Sequence, residues 1–144
     1  MAKRRILFLC TGNSCRSQMA EGFARQLAPA GYLAASAGLE PKGYLHPRAI
    51  LVMQEVGIDI RNQTSKTFEV SQAKKCDLVI TLCGDAEERC PALPAGVART
   101  HWPLPDPARA NGSPEEVMET FRRVRDEIGE LVKRLFVELE QQEK

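Results

Sequence analysis

The sequence predicts an α/β fold, a single domain in which helices flank a four-stranded parallel sheet. Three observations favour this class. Short apolar runs typical of buried strands alternate with helical patterns, no repeat or linker interrupts the chain, and a long amphipathic helix closes it. A chain of 144 residues can bury one hydrophobic core, so we expect residues 1–144 to form one domain.

The first strand and the first helix enclose a short polar loop. Residues 6–9 form an apolar run that predicts a buried strand, and residues 18–27 predict a helix. The apolar face of that helix is expected to carry Met19, Phe23 and Leu27. Residues 10–17 read Cys-Thr-Gly-Asn-Ser-Cys-Arg-Ser. Cys10 therefore lies at the carboxyl end of a strand, where ligands bind in such folds, and at the N-terminal end of a helix.

The loop combines an anion-binding site with a nucleophile. Unpaired backbone N–H groups at a helix N-terminus bind a tetrahedral oxyanion, and the same field stabilises a thiolate at Cys10. Arg16 supplies a planar charged fork, and Ser17 can donate its hydroxyl to the thiolate or to a leaving oxygen. We predict that these three residues are catalytic. The predicted oxyanion site consists of Thr11, Gly12, Asn13, Ser14, Cys15 and Arg16.

The chain from residue 32 onwards predicts a second strand and a second helix. Residues 32–38 form the strand, in which the small residues Ser36 and Gly38 allow a close approach to the loop. The helix begins after His46, to which we assign a solvent-facing or capping role, and ends at Gly57. Its apolar positions are Ile50, Met53 and Val56.

Two more strands complete the sheet. Residues 70–75 predict a short helix, and residues 77–82 predict a buried strand. Residues 99–104 predict the fourth strand, with His101 and Trp102 as packing residues.

The C-terminal helix has the clearest pattern. Ser113, Pro114 and Glu116 supply an N-cap, a proline at the first helical position and the glutamate of a capping box. We expect the charged residues of this helix to form a solvated face. Its apolar positions recur every three or four residues, at Val117, Phe121, Val124, Ile128, Leu131, Leu135 and Leu139.

Composition excludes several classes of partner. The net charge is +1 and the charges are spread along the chain, so we expect no nucleic-acid and no membrane partner. The apolar run after the basic residues 1–5 is too short for a signal peptide or a membrane span, which predicts a cytoplasmic protein. Five cysteines in that reducing compartment indicate reactive thiols, although we assign no role to Cys76.

Asp106 is a candidate general acid. It lies between two prolines in a loop that follows a predicted strand, and the prolines stiffen that loop. A carboxyl group held there can give a proton to a leaving oxygen. The alternative is a turn aspartate, which is common before proline. The Cys10 loop favours the catalytic interpretation.

Two further cysteines flank a predicted short helix. Cys83 falls at the carboxyl end of a central strand, on the sheet edge that carries Cys10, and Cys90 follows seven residues later beside a proline. This spacing is not that of a usual zinc knuckle and no second pair follows, so we predict no metal site. Reactive thiols and two chance buried cysteines both stay open on these residues alone.

The loop resembles the phosphate-binding loop of low-molecular-weight protein tyrosine phosphatases, in which five residues separate the cysteine from an arginine and a serine. Taken with the cysteine pair, the chain is similar to the thioredoxin-coupled arsenate reductases, which share that fold and its flavodoxin-like layering. The likeness covers nearly the whole chain. It is carried by residues 10–21, 36–38, 56–60, 62–65, 81–86, 90–91, 106–110 and 123–129.

The resemblance implies a three-cysteine relay that needs no cofactor. Cys10 attacks arsenate, which Arg16 and the loop amides hold, with Asp106 as the acid. Cys83 then attacks Cys10 and arsenite leaves. Cys90 attacks Cys83, and thioredoxin is the implied reductant of the Cys83–Cys90 disulfide. Phosphate and sulfate are the implied competing anions, and we expect a monomer with at most weak phosphatase activity.

The sequence leaves two rival functions open. The first is a phosphatase for small or protein phosphate esters, which needs neither Cys83 nor Cys90. The phosphatases commonly carry a tyrosine after the Asp-Pro pair, however, and here Ala108 follows it. The second is a non-catalytic redox sensor that uses the two thiols to change a binding surface.

The resemblance also raises the question of a potassium site. Some members of the family hold the ion with residues that match Asn13, Glu21, Ser36 and Thr64, and with an acidic residue two positions after the threonine. Lys66 stands at that last position here. We therefore expect an ammonium group near Glu21 and Asn13 to replace the ion.

Overall fold

The computed structural model describes residues 4–142 and contains a four-stranded parallel sheet flanked by helices, which confirms the predicted fold class. A 3₁₀ turn at Pro107–Arg109 precedes the last helix. The elements in chain order are β1 (Arg4–Cys10), α1 (Arg16–Leu27), β2 (Tyr32–Gly38), α2 (Pro47–Glu55), α3 (Val70–Ala73), β3 (Leu78–Thr81), α4 (Gly84–Arg89), β4 (Ala98–His101) and α5 (Pro114–Gln142).

The strand order β2-β1-β3-β4 brings two distant parts of the chain to one edge of the sheet. In the register of the sheet, Cys10 is opposite Gly38, and Leu9 is opposite Thr81. The strand order reverses between β1 and β3, and in open α/β sheets ligands bind at the carboxyl ends of the strands beside such a point. The loops after β1 and β3 therefore meet where a ligand is expected.

The core is built on β1, which is buried from Ile6 through Cys10 as a central parallel strand should be. Helix α1 begins at Arg16, two residues earlier than predicted, so Arg16 and Ser17 occupy its first turn. Met19 is fully buried, whereas Leu27 is exposed. The prediction for Leu27 is wrong because α1 buries its N-terminal half, and its last turn extends beyond the core.

The buried face of α2 differs from the predicted one. Ala49, Val52 and Met53 are buried, whereas Ile50 is half-buried and Val56 is exposed. Val56 lies past the end of the helix at Glu55, so it no longer follows the helical spacing. The capping role of His46 is confirmed, since its Nδ1 accepts the Arg48 N–H at 3.1 Å. Gly57 adopts a φ of +80° and ends the helix.

Helix α5 has the predicted capping box. The Glu116 N–H donates to Ser113 Oγ, and the Ser113 N–H donates to Glu116 Oε1, both at 3.1 Å. All seven of its predicted apolar positions lie in the core or pack against it. The prediction of a wholly solvated charged face is wrong for Arg125, which is buried and donates to the Val52 carbonyl at 2.9 Å and to Glu55 at 2.8 Å. This guanidinium links α5 to α2.

The two residues predicted to pack beside β4 behave differently. Trp102 packs against Phe8, with ring centroids 5.9 Å apart. His101 instead belongs to a polar network, because its Nδ1 lies 2.9 Å from Thr81 Oγ1 and 3.8 Å from Glu87. Its prediction as a packing residue is therefore wrong. Edge strand β4 is mostly exposed, so its side chains reach polar partners.

Within residues 4–142, no helix combines the length and apolar character needed to cross a membrane. The first three residues of the basic start lie outside the described residues.

Candidate active site

The loop after β1 is shaped by Asn13, a non-glycine residue with a φ of +47°. Asparagine tolerates this left-handed conformation because its short polar side chain can bond locally. Its Nδ2 donates to Ser17 Oγ at 2.8 Å and to Ser36 Oγ at 3.0 Å. Its Oδ1 accepts the Lys66 N–H at 2.8 Å. One buried amide thus fixes the loop to α1, to β2 and to residues 64–66.

Gly38 lets β2 approach the loop as closely as predicted. A Cβ at this position would lie 2.7 Å from the Thr11 carbonyl oxygen and 2.8 Å from Asn13 Cβ. Backbone bonds continue the contact, since the Leu39 N–H donates to the Cys10 carbonyl at 3.2 Å and the Glu40 N–H donates to the Thr11 carbonyl at 2.8 Å. The strand therefore supports the loop from one side.

The sulfur of Cys10 lies within this loop and accepts hydrogen bonds. The Asn13 N–H donates to Sγ at 3.2 Å, and Ser17 Oγ lies 2.9 Å away. Because the Asn13 side chain already donates to Ser17 Oγ, the Ser17 hydroxyl proton can point at Cys10. Hydrogen-bonding groups therefore lie against this sulfur on two sides.

Arg16 and Asp106 face each other across the loop. Arg16 Nη1 donates to the Leu104 carbonyl at 3.0 Å, and Nη2 lies 3.7 Å from Asp106 Oδ2. Asp106 Oδ1 accepts the Ala108 N–H at 3.0 Å, so the residue is also a turn aspartate. One carboxylate oxygen holds the turn while the other is directed toward the arginine. The geometry is that of a turn aspartate beside an arginine, and the role of Asp106 as a general acid stays a prediction.

Cys83 shares a pocket of about 780 Å³ with Cys10, Arg16 and Asp106. It is the N-cap of α4, and its Sγ accepts the Ala86 N–H at 3.3 Å. Thr11 Oγ1 lies 3.3 Å from this sulfur and donates to Asp85 Oδ2 at 2.6 Å. That hydrogen bond lowers the pKa of Asp85, so the carboxylate is ionised and accepts the hydrogen bond from the Thr11 hydroxyl. The Thr11 oxygen is therefore free to accept the Cys83 S–H.

Cys90 is held apart from the pocket. It is the C-cap of α4, it is buried, and its S–H donates to the Pro91 carbonyl at 3.6 Å. Burial raises the pKa of this thiol. The structure thus brings Cys10 and Cys83 to one pocket and places Cys90 at the far end of a short helix.

Polar side chains hold α4 in place. Arg89 donates to Glu40 and to Asp85, each at 3.0 Å, and so spans the mouth of the pocket. On the other side, Thr81 donates to Glu87, and Arg99 bonds the Glu87 and Cys90 carbonyls. Ala86 is the only buried residue of α4, so the helix contributes little to the core.

Two side chains of the predicted oxyanion site, those of Ser14 and Cys15, are buried. Burial, with the charges of Asp106 and Cys10, raises the pKa of Cys15 to about 12, so its thiol stays protonated. The Ser14 hydroxyl is buried and has no hydrogen-bond partner among residues 4–142. Its carbonyl accepts the His46 N–H at 3.0 Å, which ties the loop to the start of α2.

Glu21 is a buried carboxylate beneath the loop. Ser36 donates to its Oε1 at 2.6 Å, Arg25 contacts it at 2.8 Å, and Lys66 Nζ lies 3.7 Å away. The same ammonium donates to the Thr64 carbonyl at 2.8 Å. Lys66 therefore stands beside Glu21, as the sequence led us to expect. Among residues 4–142, no cluster of three His, Cys, Asp or Glu side chains is arranged to hold a metal ion.

Sequence reasoning missed the charged residues that line the pocket outside the loop and Asp106. They are Glu40, Lys42, Asp85, Arg89 and Arg109. No local signal marks them as pocket residues, because the pocket forms only where segments far apart in sequence meet.

Known proteins resemble this chain along most of its length. The family model for low molecular weight phosphotyrosine protein phosphatase matches residues 5–144. An arsenate reductase of Bacillus subtilis is 53% identical over 133 residues, which cover 92% of this chain and 95% of that protein. A solved structure of an arsenate reductase in the phosphate binding state is 40% identical, with a TM-score of 0.76, and covers 94% of this chain and 98% of that one. Another, of an arsenate reductase in the oxidized state, is 36% identical, with a TM-score of 0.77 and the same coverage.

We expect Gly38→Ala to disturb the loop. The added methyl group would collide with Thr11 and Asn13, and such overpacking costs about 1–3 kcal/mol. The melting temperature should fall, and phosphate binding measured by calorimetry should weaken. Gly84→Ala is the matched control, because its Cβ would meet nothing within 4 Å. Phosphate binding at wild-type strength in Gly38→Ala would contradict the close-packing account.

We expect the melting temperature to be the same in potassium and sodium chloride at equal ionic strength, because the Lys66 ammonium already lies beside Glu21. Lys66→Gln should lower it in both salts, since the buried carboxylate then loses one of its two cations. Lys75→Gln, an exposed lysine outside the site, is the control. A potassium-specific rise in the wild-type protein would reject this account.

Proposed function

Since this chain belongs to the low molecular weight phosphotyrosine protein phosphatase family, we propose that it uses the anion-binding loop of that fold to reduce arsenate to arsenite. The observation that carries this choice is a second thiol, Cys83, in the pocket that holds Cys10. A phosphatase needs only the first thiol. Three relatives that are 52–53% identical over more than nine-tenths of the chain are named arsenate reductases, which supports the same choice.

The first step is an attack of the Cys10 thiolate on arsenic. Arsenate sits against the N–H groups of residues 11–16, with Arg16 gripping its oxygens. As the sulfur–arsenic bond forms, one oxygen leaves as water with a proton from Asp106. The carboxyl group is well placed for this, because Asp106 lines the pocket and lies 3.7 Å from Arg16.

The second step transfers two electrons to arsenic. Cys83 gives up its proton to solvent in the open pocket, and the Ala86 N–H that donates to its sulfur stabilises the thiolate. The Cys83 sulfur then attacks Cys10 Sγ. The electron pair of the sulfur–arsenic bond goes to arsenic, which leaves as arsenite, and a Cys10–Cys83 disulfide remains. Two thiols have been oxidised and As(V) has become As(III).

The third step restores Cys10 and requires α4 to unwind. Cys83 and Cys90 cap the two ends of the six-residue helix α4. Seven steps of ~1.5 Å put them about 10 Å apart, whereas a disulfide needs Cα atoms within roughly 4.4–6.8 Å. Once α4 opens, Cys90 leaves the buried site that raises its pKa, so the thiolate forms more readily. That thiolate attacks Cys83 Sγ and expels the Cys10 thiolate.

The Cys83–Cys90 disulfide is returned to two thiols by an external dithiol. We propose thioredoxin for this role, on the resemblance alone, and a cytoplasmic monomer as the working form. Phosphate and sulfate compete with arsenate, because the loop recognises tetrahedral oxyanions in general. Weak phosphate-ester hydrolysis through Cys10, Arg16 and Asp106 accompanies the main activity.

The relay predicts a thiol count. With no reductant added, one arsenate should consume two of the five thiols of the wild-type protein, whereas phosphate should consume none. Cys90→Ala should also lose two thiols once, through Cys10–Cys83, but should not turn over with thioredoxin. Cys10→Ser should abolish both arsenate reduction and ester hydrolysis.

The controls separate the rival functions. Cys76→Ala removes a thiol outside the pocket and should behave like the wild-type protein. A phosphatase would keep all its thiols after arsenate, and a redox sensor would lose them with peroxide alone. Continued turnover of Cys90→Ala with thioredoxin as the only reductant would refute the relay.

Unwinding predicts a local change in amide hydrogen exchange. In the Cys83–Cys90 oxidised protein, exchange should rise across about residues 84–97 while the strands and α5 stay protected. Cys90→Ala treated once with arsenate is the matched control, since its Cys10–Cys83 bond does not require α4 to open. Unchanged or slower exchange across this segment in the oxidised protein would contradict the proposed opening.

A further inference from the structure

One cation in the anion pocket has no carboxylate partner within residues 4–142. Three of the four basic side chains that line the pocket are paired. Arg16 and Arg109 lie 3.7 and 3.8 Å from Asp106, and Arg89 bonds Glu40 and Asp85. The fourth is Lys42. Its ammonium makes no ion pair or hydrogen bond to the described part of the chain.

The stem of Lys42 lies on the loop. The Lys42 N–H donates to the Gly12 carbonyl at 2.9 Å. A Cβ at Gly12 would lie 3.3 Å from Lys42 Cε and 3.4 Å from Lys42 Cγ. The aliphatic chain therefore covers Gly12 directly, and the ammonium, one bond beyond Cε, stands at the rim of the oxyanion cradle.

We propose that Lys42 is an anion-binding residue. Its ammonium contacts the arsenate oxygens that face the pocket mouth and supplies a second positive charge beside that of Arg16. This rests on the proposed function, since it assigns a residue to the binding of that same substrate. Arg16 and the loop amides hold the oxygens near Cys10, and Lys42 binds the side of the oxyanion that faces the pocket mouth.

The charges of the pocket explain why a second cation is needed. Arsenate carries up to two negative charges near neutral pH, whereas the charge of Arg16 is already shared with Asp106. The field of Lys42 also reaches inside the loop, where it opposes the rise in the pKa of Cys15 and helps to lower the pKa of His46, for which burial is the larger cause. An ammonium with no carboxylate partner is available to an incoming anion without breaking an ion pair.

The test compares Lys42→Met with Lys42→Arg and with Lys74→Met. Methionine keeps an aliphatic stem over Gly12 but lacks the charge, whereas arginine keeps the charge. Lys74→Met makes the same charge change at an exposed lysine outside the pocket. For each reduced protein, calorimetry gives the Kd of inorganic phosphate, and thioredoxin-coupled turnover gives kcat and KM for arsenate, at about 0.05 and 0.5 M salt.

Lys42→Met should raise the phosphate Kd and the arsenate KM about five- to tenfold at low salt, with kcat unchanged and a smaller effect at high salt. Lys42→Arg should stay within twofold of the wild-type protein. A Lys42→Met protein with wild-type Kd and KM would overturn the proposal, and so would an equal effect in Lys74→Met. If the wild-type protein reduces no arsenate but Lys42→Met still weakens phosphate binding, the proposed function fails and the role of Lys42 stands.

Discussion

The side-chain amide of Asn13 is the contact on which the rest of the active site depends. Its two N–H groups and its oxygen are all used, toward α1, β2 and residues 64–66. A left-handed residue that carries a Cβ costs about 1–2 kcal/mol, and these buried bonds offset that cost. The backbone turn at Asn13 also aims its N–H at the Cys10 sulfur. The shape of the loop and the position of the Cys10 sulfur therefore have a common origin.

The active site joins two parts of very different character. The oxyanion cradle follows β1, a fully buried central strand, and is supported by the backbone of β2. The second thiol begins α4, a short helix with one buried side chain that is held mainly by ion pairs and hydrogen bonds. Such segments open at lower free energy than a core strand. The rigid part suits anion binding, and the weakly packed part suits a thiol exchange that moves backbone.

Local signals in the sequence predicted much of this molecule. These correct predictions depended on residues that are neighbours in sequence. They include the strand, loop and helix around Cys10, the strand over residues 32–38 and the capping box of α5. The errors arose where distant segments decide the outcome. Arg125 is buried only because Val52 and Glu55 lie against it, and Lys42 reaches the pocket only because its stem lies on Gly12. Linear spacing carries no information on such contacts.

The resting place of Cys90 decides how the reduced protein meets a stray oxidant. Two thiols whose sulfurs touch can close to a disulfide as soon as an oxidant attacks one of them. Here the helix between Cys83 and Cys90 keeps the two sulfurs from closing directly, and burial keeps Cys90 protonated. An oxidant that attacks Cys83 therefore meets no adjacent Cys90 thiol while α4 stays folded. Under the proposed relay, this separation keeps the reducing thiols available for the substrate.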